Sequence, residues 1–161
     1  MSTQADYSPE EWEILVNAPV MAGTLVIISA PAVFGSIKES AAMVKKINQV
    51  TTSTSNELIK ALGEAIRAGH KFDKSQVPKE DSVQATMNTL VKMCHKAALI
   101  VKEKSPDEEA AFNQYLVEVA KTTAASSKEG GFLGIGAVRV SEAEKAAVDQ
   151  LAGALGVPSP E

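Results

Sequence analysis

Residues 14–37 read ILVNAPVMAGTLVIISAPAVFGSI, and none of these 24 residues is charged. A segment that is apolar on every side has to be covered on every side, either by other helices of the same chain or by lipid. Pro19 removes one helical hydrogen bond, so we expect a short helix from residue 9 to about residue 17, followed by a kink or a restart. How this stretch is covered decides the architecture.

Two interpretations of residues 14–37 compete. A membrane-spanning helix needs about 20 predominantly apolar residues, and the acidic residues before the stretch and the lysines after it would orient such a helix. However, the prolines and polar residues leave only residues 20–30 uninterrupted, which is about 16 Å of helix. We therefore predict a buried central helix, with membrane association through residues 14–37 as the alternative.

The rest of the chain reads as a series of capped amphipathic helices. Ser8-Pro9-Glu10-Glu11 and Ser105-Pro106-Asp107-Glu108 share a capping serine, a proline at the first helical position and a glutamate three residues after the cap. Thr54-x-x-Glu57 and Ser141-x-x-Glu144 are further capping boxes. The helices predicted beyond residue 31 cover about 34–50, 55–68, 80–104, 106–129 and 142–155.

No segment of useful length alternates with a period of two, so we predict an all-α fold. Its architecture is a compact bundle of about five to six helices around a central apolar helix. A chain of 161 residues suits a single helical domain over residues 1–161. We expect residues 1–7 and 157–161 to be frayed at its ends.

Composition excludes several classes of function. The net charge of −4 makes nucleic acid an improbable partner. The single cysteine excludes an internal disulfide framework and a multi-thiolate zinc site. The region before residue 14 is acidic where a secretory signal is basic. We therefore expect a cytoplasmic protein.

Few side chains suggest catalysis. Cys94 lies on the apolar stripe of its helix, and its neighbour His95 projects about 100° away, so the two do not converge on one substrate or metal. His70 follows Gly69 at a helix end, where the helix dipole favours a cation. Neither histidine has a glutamate three residues before it, and no hydrolase, zinc-protease, EF-hand or phosphate-loop motif is present. We predict no catalytic residue, no cofactor and no metal, and enzymatic activity is unsupported.

Three polar residues could serve a pocket inside the bundle. Glu39 is the first carboxylate after the uncharged stretch, and His95 and Tyr115 lie on two of the later helices. An apolar pocket with a few such polar groups is typical of small-molecule sites. A small-molecule binding protein or an enzyme of unrecorded type is thus an alternative hypothesis, while a solvated Glu39 is the simpler interpretation of that residue.

The glycine-rich segment Gly130-Gly-Phe-Leu-Gly-Ile-Gly136 has the least usual chemistry in the chain. It lacks the lysine and hydroxyl residue with which a phosphate loop ends. Phe132, Leu133 and Ile135 are either tucked under the bundle or exposed as a hook for a partner protein or a second copy of the chain. In the exposed arrangement, the three side chains form an interaction surface, and a homodimer is one outcome.

Three motifs together resemble a known family: Trp12-x-x-Leu15-x-x-Ala18-Pro19, Lys38-Glu39, and residues 129–136 followed by Val140-Ser141-x-x-Glu144. The chain is similar over nearly its whole length to a family of small, single-domain, all-helical microbial proteins with no assigned activity. That resemblance implies a soluble helical fold and carries no functional residues with it. The first functional hypothesis is therefore a non-catalytic soluble domain that acts through protein association or self-association.

Overall fold

Six α-helices follow one another along the chain in the computed structural model, which describes residues 2–30, 36–72, 74–126 and 140–159. The helices are α1 (Pro9–Ser29), α2 (Ser36–Ser53), α3 (Glu57–Arg67), α4 (Val83–Lys104), α5 (Pro106–Ser126) and α6 (Glu142–Leu155). Single 3-10 turns cover Gln4–Asp6 and Lys74–Gln76. The described ranges contain no β-strand, and the predicted all-α bundle is confirmed.

Helix α1 lies at the centre of the bundle and packs against all five other helices. Leu15, Val16, Ala18, Ala22 and Leu25 on it are completely buried. Since these residues occupy several sides of one helix, a single covering partner would not suffice. The predicted central apolar helix is thus confirmed.

Helix α1 is also long and apolar enough to cross a membrane, and it lies near the N-terminus. In the bundle, 61% of its most apolar 18-residue window is buried by the rest of the chain. The core helix of a soluble protein and a membrane span share this length and composition, so these two properties do not separate the two interpretations.

The helix does not end at residue 17 as predicted but continues through Pro19 to Ser29. A proline inside a helix leaves one carbonyl without its partner and costs about 3 kcal/mol. Pro19 is itself buried within this central helix. Burying the apolar residues on both sides of Pro19 outweighs the lost hydrogen bond, because fully burying one aliphatic side chain contributes about 1.5–3 kcal/mol.

The capping boxes at Ser8 and Ser141 are confirmed, each with a reciprocal glutamate at the third helical position. The predicted cap at Thr54 is wrong, because Asn56 caps α3 and its side chain accepts a hydrogen bond from Ile59 N at 3.0 Å. Helix α2 extends through the Thr51-Thr52-Ser53 run instead of stopping before it. Each of these hydroxyls donates to a carbonyl three or four residues earlier, which satisfies it inside the helix.

The N-terminal segment packs against the bundle and does not fray over residues 2–7. Ser2 and Tyr7 are buried, and the Ser2 backbone N–H donates to a carboxylate oxygen of buried Glu108 at 2.9 Å. The Ser2 hydroxyl donates to the same carboxylate, and the Tyr7 hydroxyl lies 3.0 Å from that of Ser105. The expectation of a frayed segment overlooked these partners, which are about a hundred residues away along the chain.

Helices α2 and α3 lie close together at Gly63. A β-carbon at this position would lie 2.5 Å from Thr51 Cβ and 2.6 Å from its hydroxyl oxygen. Thr51 is buried and β-branched, so it cannot move aside as a flexible side chain would. Gly63 therefore sets the spacing between the two helices.

We expect Gly63→Ala to lower the free energy of unfolding. Overpacking costs about 1–3 kcal/mol, which outweighs the gain of about 1 kcal/mol from replacing a helical glycine by alanine. The matched control is Gly153→Ala on α6, where an added β-carbon meets no atom within 4 Å and stability should rise slightly. Urea denaturation of both variants tests this, and equal stabilisation by both would contradict the close approach.

Candidate functional site

The predicted site residues lie in different environments. His95 is exposed on α4, whereas the Tyr115 side chain on α5 is buried and its hydroxyl has no hydrogen-bond partner among the described residues. Burial also raises the pKa of the Tyr115 phenol above its ordinary value. Glu39 lies in α2, but its side chain is outside the described part of the structure.

The candidate interaction residues Phe132, Leu133 and Ile135 also lie outside the described residues. The interaction surface predicted from them therefore stays a prediction. In the described part of the chain, the exposed large apolar side chains are Val44, Val83 and Leu99. They are single residues on α2 and at distant positions of α4, and single exposed apolar side chains are common on protein surfaces.

Cys94 is a core residue, as its place on the apolar stripe of α4 predicted. Its thiol is completely buried and donates to the Ala18 carbonyl oxygen at 3.7 Å. Burial raises the pKa of the thiol to about 12. Because the thiolate is the nucleophilic form of cysteine, this residue is poorly suited to covalent catalysis.

A polar network that the sequence analysis did not predict lies against the middle of α1. Asn17 on this helix is completely buried. Its side-chain Nδ2 donates to Glu13 Oε1 at 3.3 Å and to Gln76 Oε1 at 3.4 Å. Its Oδ1 lies 2.9 Å from His70 Nε2. All hydrogen-bonding atoms of this buried amide thus have partners, as burial requires.

The network fixes the orientation of His70. An amide oxygen only accepts hydrogen bonds, so His70 Nε2 donates to Asn17 Oδ1. The same nitrogen lies 3.5 Å from Glu13 Oε1, on the neighbouring turn of α1. His70 therefore ties the connector between α3 and α4 to the central helix, which is a different role from the helix-dipole interaction predicted for it.

One signal in the sequence points to this network. Asn17 is the only amide side chain in the uncharged stretch 14–37. A buried helical asparagine needs partners from another part of the chain. The sequence does not show which residue supplies them, because His70 is 53 positions away in a polar connector.

A cleft of about 340 Å³ adjoins the network between α1 and α4, and we name it the α1/α4 cleft. Its lining residues are Glu10, Glu13, Ile14, Met21, Gln76, Met93 and Lys96. Glu13 and Gln76 belong to both the cleft wall and the Asn17 network. The polar groups on this wall are consequently held in place by a buried amide behind them.

The two walls of the cleft carry opposite charges. Glu10 and Glu13 lie one turn apart on α1, and Lys96 lies on α4. Ile14, Met21 and Met93 supply its apolar surface. Among the described residues, no group of three or more histidine, cysteine, aspartate or glutamate side chains could hold a metal ion. The described lining thus combines charged, polar and apolar side chains.

No protein-family model, no curated protein and no solved structure matches this chain. The resemblance to helical microbial proteins stays a prediction. Function therefore has to be derived from the residues of the chain itself.

We expect Asn17 and His70 to be energetically coupled. Asn17→Ala removes the hydrogen bonds of a buried amide to Glu13, Gln76 and His70, whose side chains are half-buried or exposed. At about 0.5–1.5 kcal/mol for each hydrogen bond, it should lower the free energy of unfolding by about 1–3 kcal/mol. A double-mutant cycle with His70→Ala, followed by urea denaturation, should give a coupling energy of about 1 kcal/mol.

The exposed ion pair between Glu57 and Lys60, 3.0 Å apart on α3, is the control for this cycle. Its coupling energy should be only about 0.3–0.5 kcal/mol. An Asn17–His70 coupling no larger than that of the control would show that the network does not hold the connector.

Cys94 should be unreactive in the folded protein because its thiol is buried and its pKa is raised to about 12. Ellman's reagent at neutral pH should label no thiol in native buffer and one thiol per chain after denaturation in guanidinium chloride. Rapid labelling of the native protein would contradict the buried position of the thiol.

Proposed function

We propose that this protein is a non-catalytic binding protein that holds a small molecule in the α1/α4 cleft. The observation that carries the proposal is the cleft wall formed by Glu13 and Gln76, which the buried Asn17 amide fixes from behind. A site whose contacting groups are supported by second-layer hydrogen bonds loses less entropy when a ligand binds.

The size and composition of the cleft support this proposal. Small-molecule sites typically occupy about 300–1,000 Å³ and combine an apolar lining with a few fixed polar groups. The α1/α4 cleft has a volume of about 340 Å³, and its described lining consists of three apolar and four polar residues. Its ligand would accordingly be small, in the range of an amino acid or a short metabolite.

The reactive groups of the chain favour binding over catalysis. The Cys94 thiol and the Tyr115 phenol are both buried with raised pKa values, and neither residue lines the cleft. In the cleft wall itself, the carboxylate of Glu13 already accepts a hydrogen bond from Asn17. The proposal therefore includes no chemical step.

We further propose that the protein is soluble and cytoplasmic. The support is the position of α1, which packs against all five other helices of the same chain. Association through Phe132, Leu133 and Ile135 is compatible with ligand binding in the cleft. It depends on the glycine-rich segment alone, because the described apolar surface offers no contiguous patch for it.

Methionine methyl NMR tests the binding proposal, because the chain has five methionines and two of them line the cleft. We expect at least one member of a library of small polar metabolites to shift the methyl signals of Met21 and Met93. The signals of Met43 and Met87, which do not line the cleft, are the internal control. Met93→Trp fills the cleft and removes one reporter, so in this variant the ligand should no longer shift the remaining cleft signal, that of Met21.

If no library member moves the Met21 and Met93 signals, the proposed function is wrong. Equal shifts of all methionine signals would also contradict it, since they would indicate a general effect on the bundle and not binding in the cleft.

A further inference from the structure

We propose that the ligand of the α1/α4 cleft is a small zwitterion with an aliphatic body, an inference that rests on the proposed function. Its cationic end would face Glu10 and Glu13, and its anionic end would face Lys96. A straight-chain ω-amino acid has this chemistry.

The cleft is lined by opposite charges that do not form an ion pair with each other. Glu10 and Glu13 line one wall and Lys96 the other. Among the described residues, neither glutamate forms an ion pair with Lys96 within 4.0 Å. Farther along the same pair of helices, Glu11 and Lys104 do meet, at 3.5 Å. The interface between α1 and α4 thus contains one ion pair, and at the cleft it contains opposite charges that are not paired.

The carboxylate wall is available to a cation. Glu13 uses Oε1 for the Asn17 amide and for the approach of His70, whereas its Oε2 has no hydrogen-bond partner among the described residues. The Glu10 carboxylate forms no hydrogen bond or ion pair with any described residue. An ammonium group, with three donors, suits such carboxylate oxygens.

The opposite wall offers a partner for a negative charge. Lys96 is exposed and has no ion-pair partner in the described part of the chain. Three other lysines of the chain, Lys60, Lys102 and Lys104, are each within 4.0 Å of a glutamate. A purely cationic ligand would leave Lys96 without a partner, and a purely anionic one would leave the two glutamates without one and be repelled by them.

The apolar surface between the charges is aliphatic. Ile14, Met21 and Met93 line it, and none of the described lining residues is aromatic. Methionine side chains are flexible and fill irregular gaps, so this surface can adapt to a bound methylene chain. A planar base or ring would find no aromatic side chain in the lining on which to stack.

The test is a titration of straight-chain ω-amino acids of increasing length, each beside its matched n-alkylamine and n-alkylcarboxylate. The Met21 and Met93 methyl signals report binding. One length should bind about tenfold or more tightly than either singly charged analogue, because a hydrogen bond to a charged group contributes about 1.5–3 kcal/mol.

Variants assign the two ends of the ligand. Glu13→Gln keeps the oxygen that accepts from Asn17 but removes the charge. It should lower the affinity for the ω-amino acid and for the alkylamine about tenfold and leave the affinity for the alkylcarboxylate unchanged. Lys96→Met should lower the affinity for the ω-amino acid and for the alkylcarboxylate and leave the affinity for the alkylamine unchanged. Lys102→Met, on the same helix and outside the cleft lining, should leave all three affinities unchanged.

Alkylamines that bind as tightly as the ω-amino acids would overturn the zwitterion while leaving ligand binding in the cleft intact. The same conclusion would follow if other library members bound and no ω-amino acid did. Failure of every compound to move the Met21 and Met93 signals would instead refute the proposed function itself.

Discussion

The fold depends on covering one helix that is apolar on all sides. Helix α1 packs against the other five helices, and most of its central residues are completely buried. No single helix or pair of helices can cover such a surface, so the remaining chain has to surround it. This requirement also explains why α1 continues through Pro19, since ending the helix there would remove part of the core around which the bundle is built.

The same constraint produces the candidate site. A buried amide side chain on the central helix needs partners for both its donors and its acceptor, and Asn17 is such a side chain. His70 and Gln76 from the α3–α4 connector supply the partners, together with Glu13 one turn earlier on α1. These hydrogen bonds hold the connector beside the cleft between α1 and α4. The polar wall of the cleft therefore lies next to Asn17, the buried residue of α1 whose side chain needs hydrogen-bond partners.

The features set by local sequence could be predicted, and those set by distant residues could not. The central helix and the caps at Ser8 and Ser141 follow from patterns within a few residues, and the structure confirms them. The cap of α3 was placed on the wrong residue because Thr54 and Asn56 are both good capping residues. Two contacts could not be predicted: Ser2 with Glu108, 106 positions apart, and Asn17 with His70, 53 positions apart. The spacing of apolar and polar residues along the chain does not indicate which distant residues come into contact.

The positions of Cys94, Tyr115 and His70 support the proposed binding function over a catalytic one. A general acid or base needs an accessible proton, and a nucleophile needs an accessible, deprotonated atom. In the described chain, Cys94 and Tyr115 are buried, and the Nε2 proton of His70 is committed to Asn17. What the cleft does present is charge, two carboxylates and one ammonium group beside apolar side chains. Charges that do not pair with each other can recognise a ligand by its charge distribution, and this is the property on which specificity in the proposed site would depend.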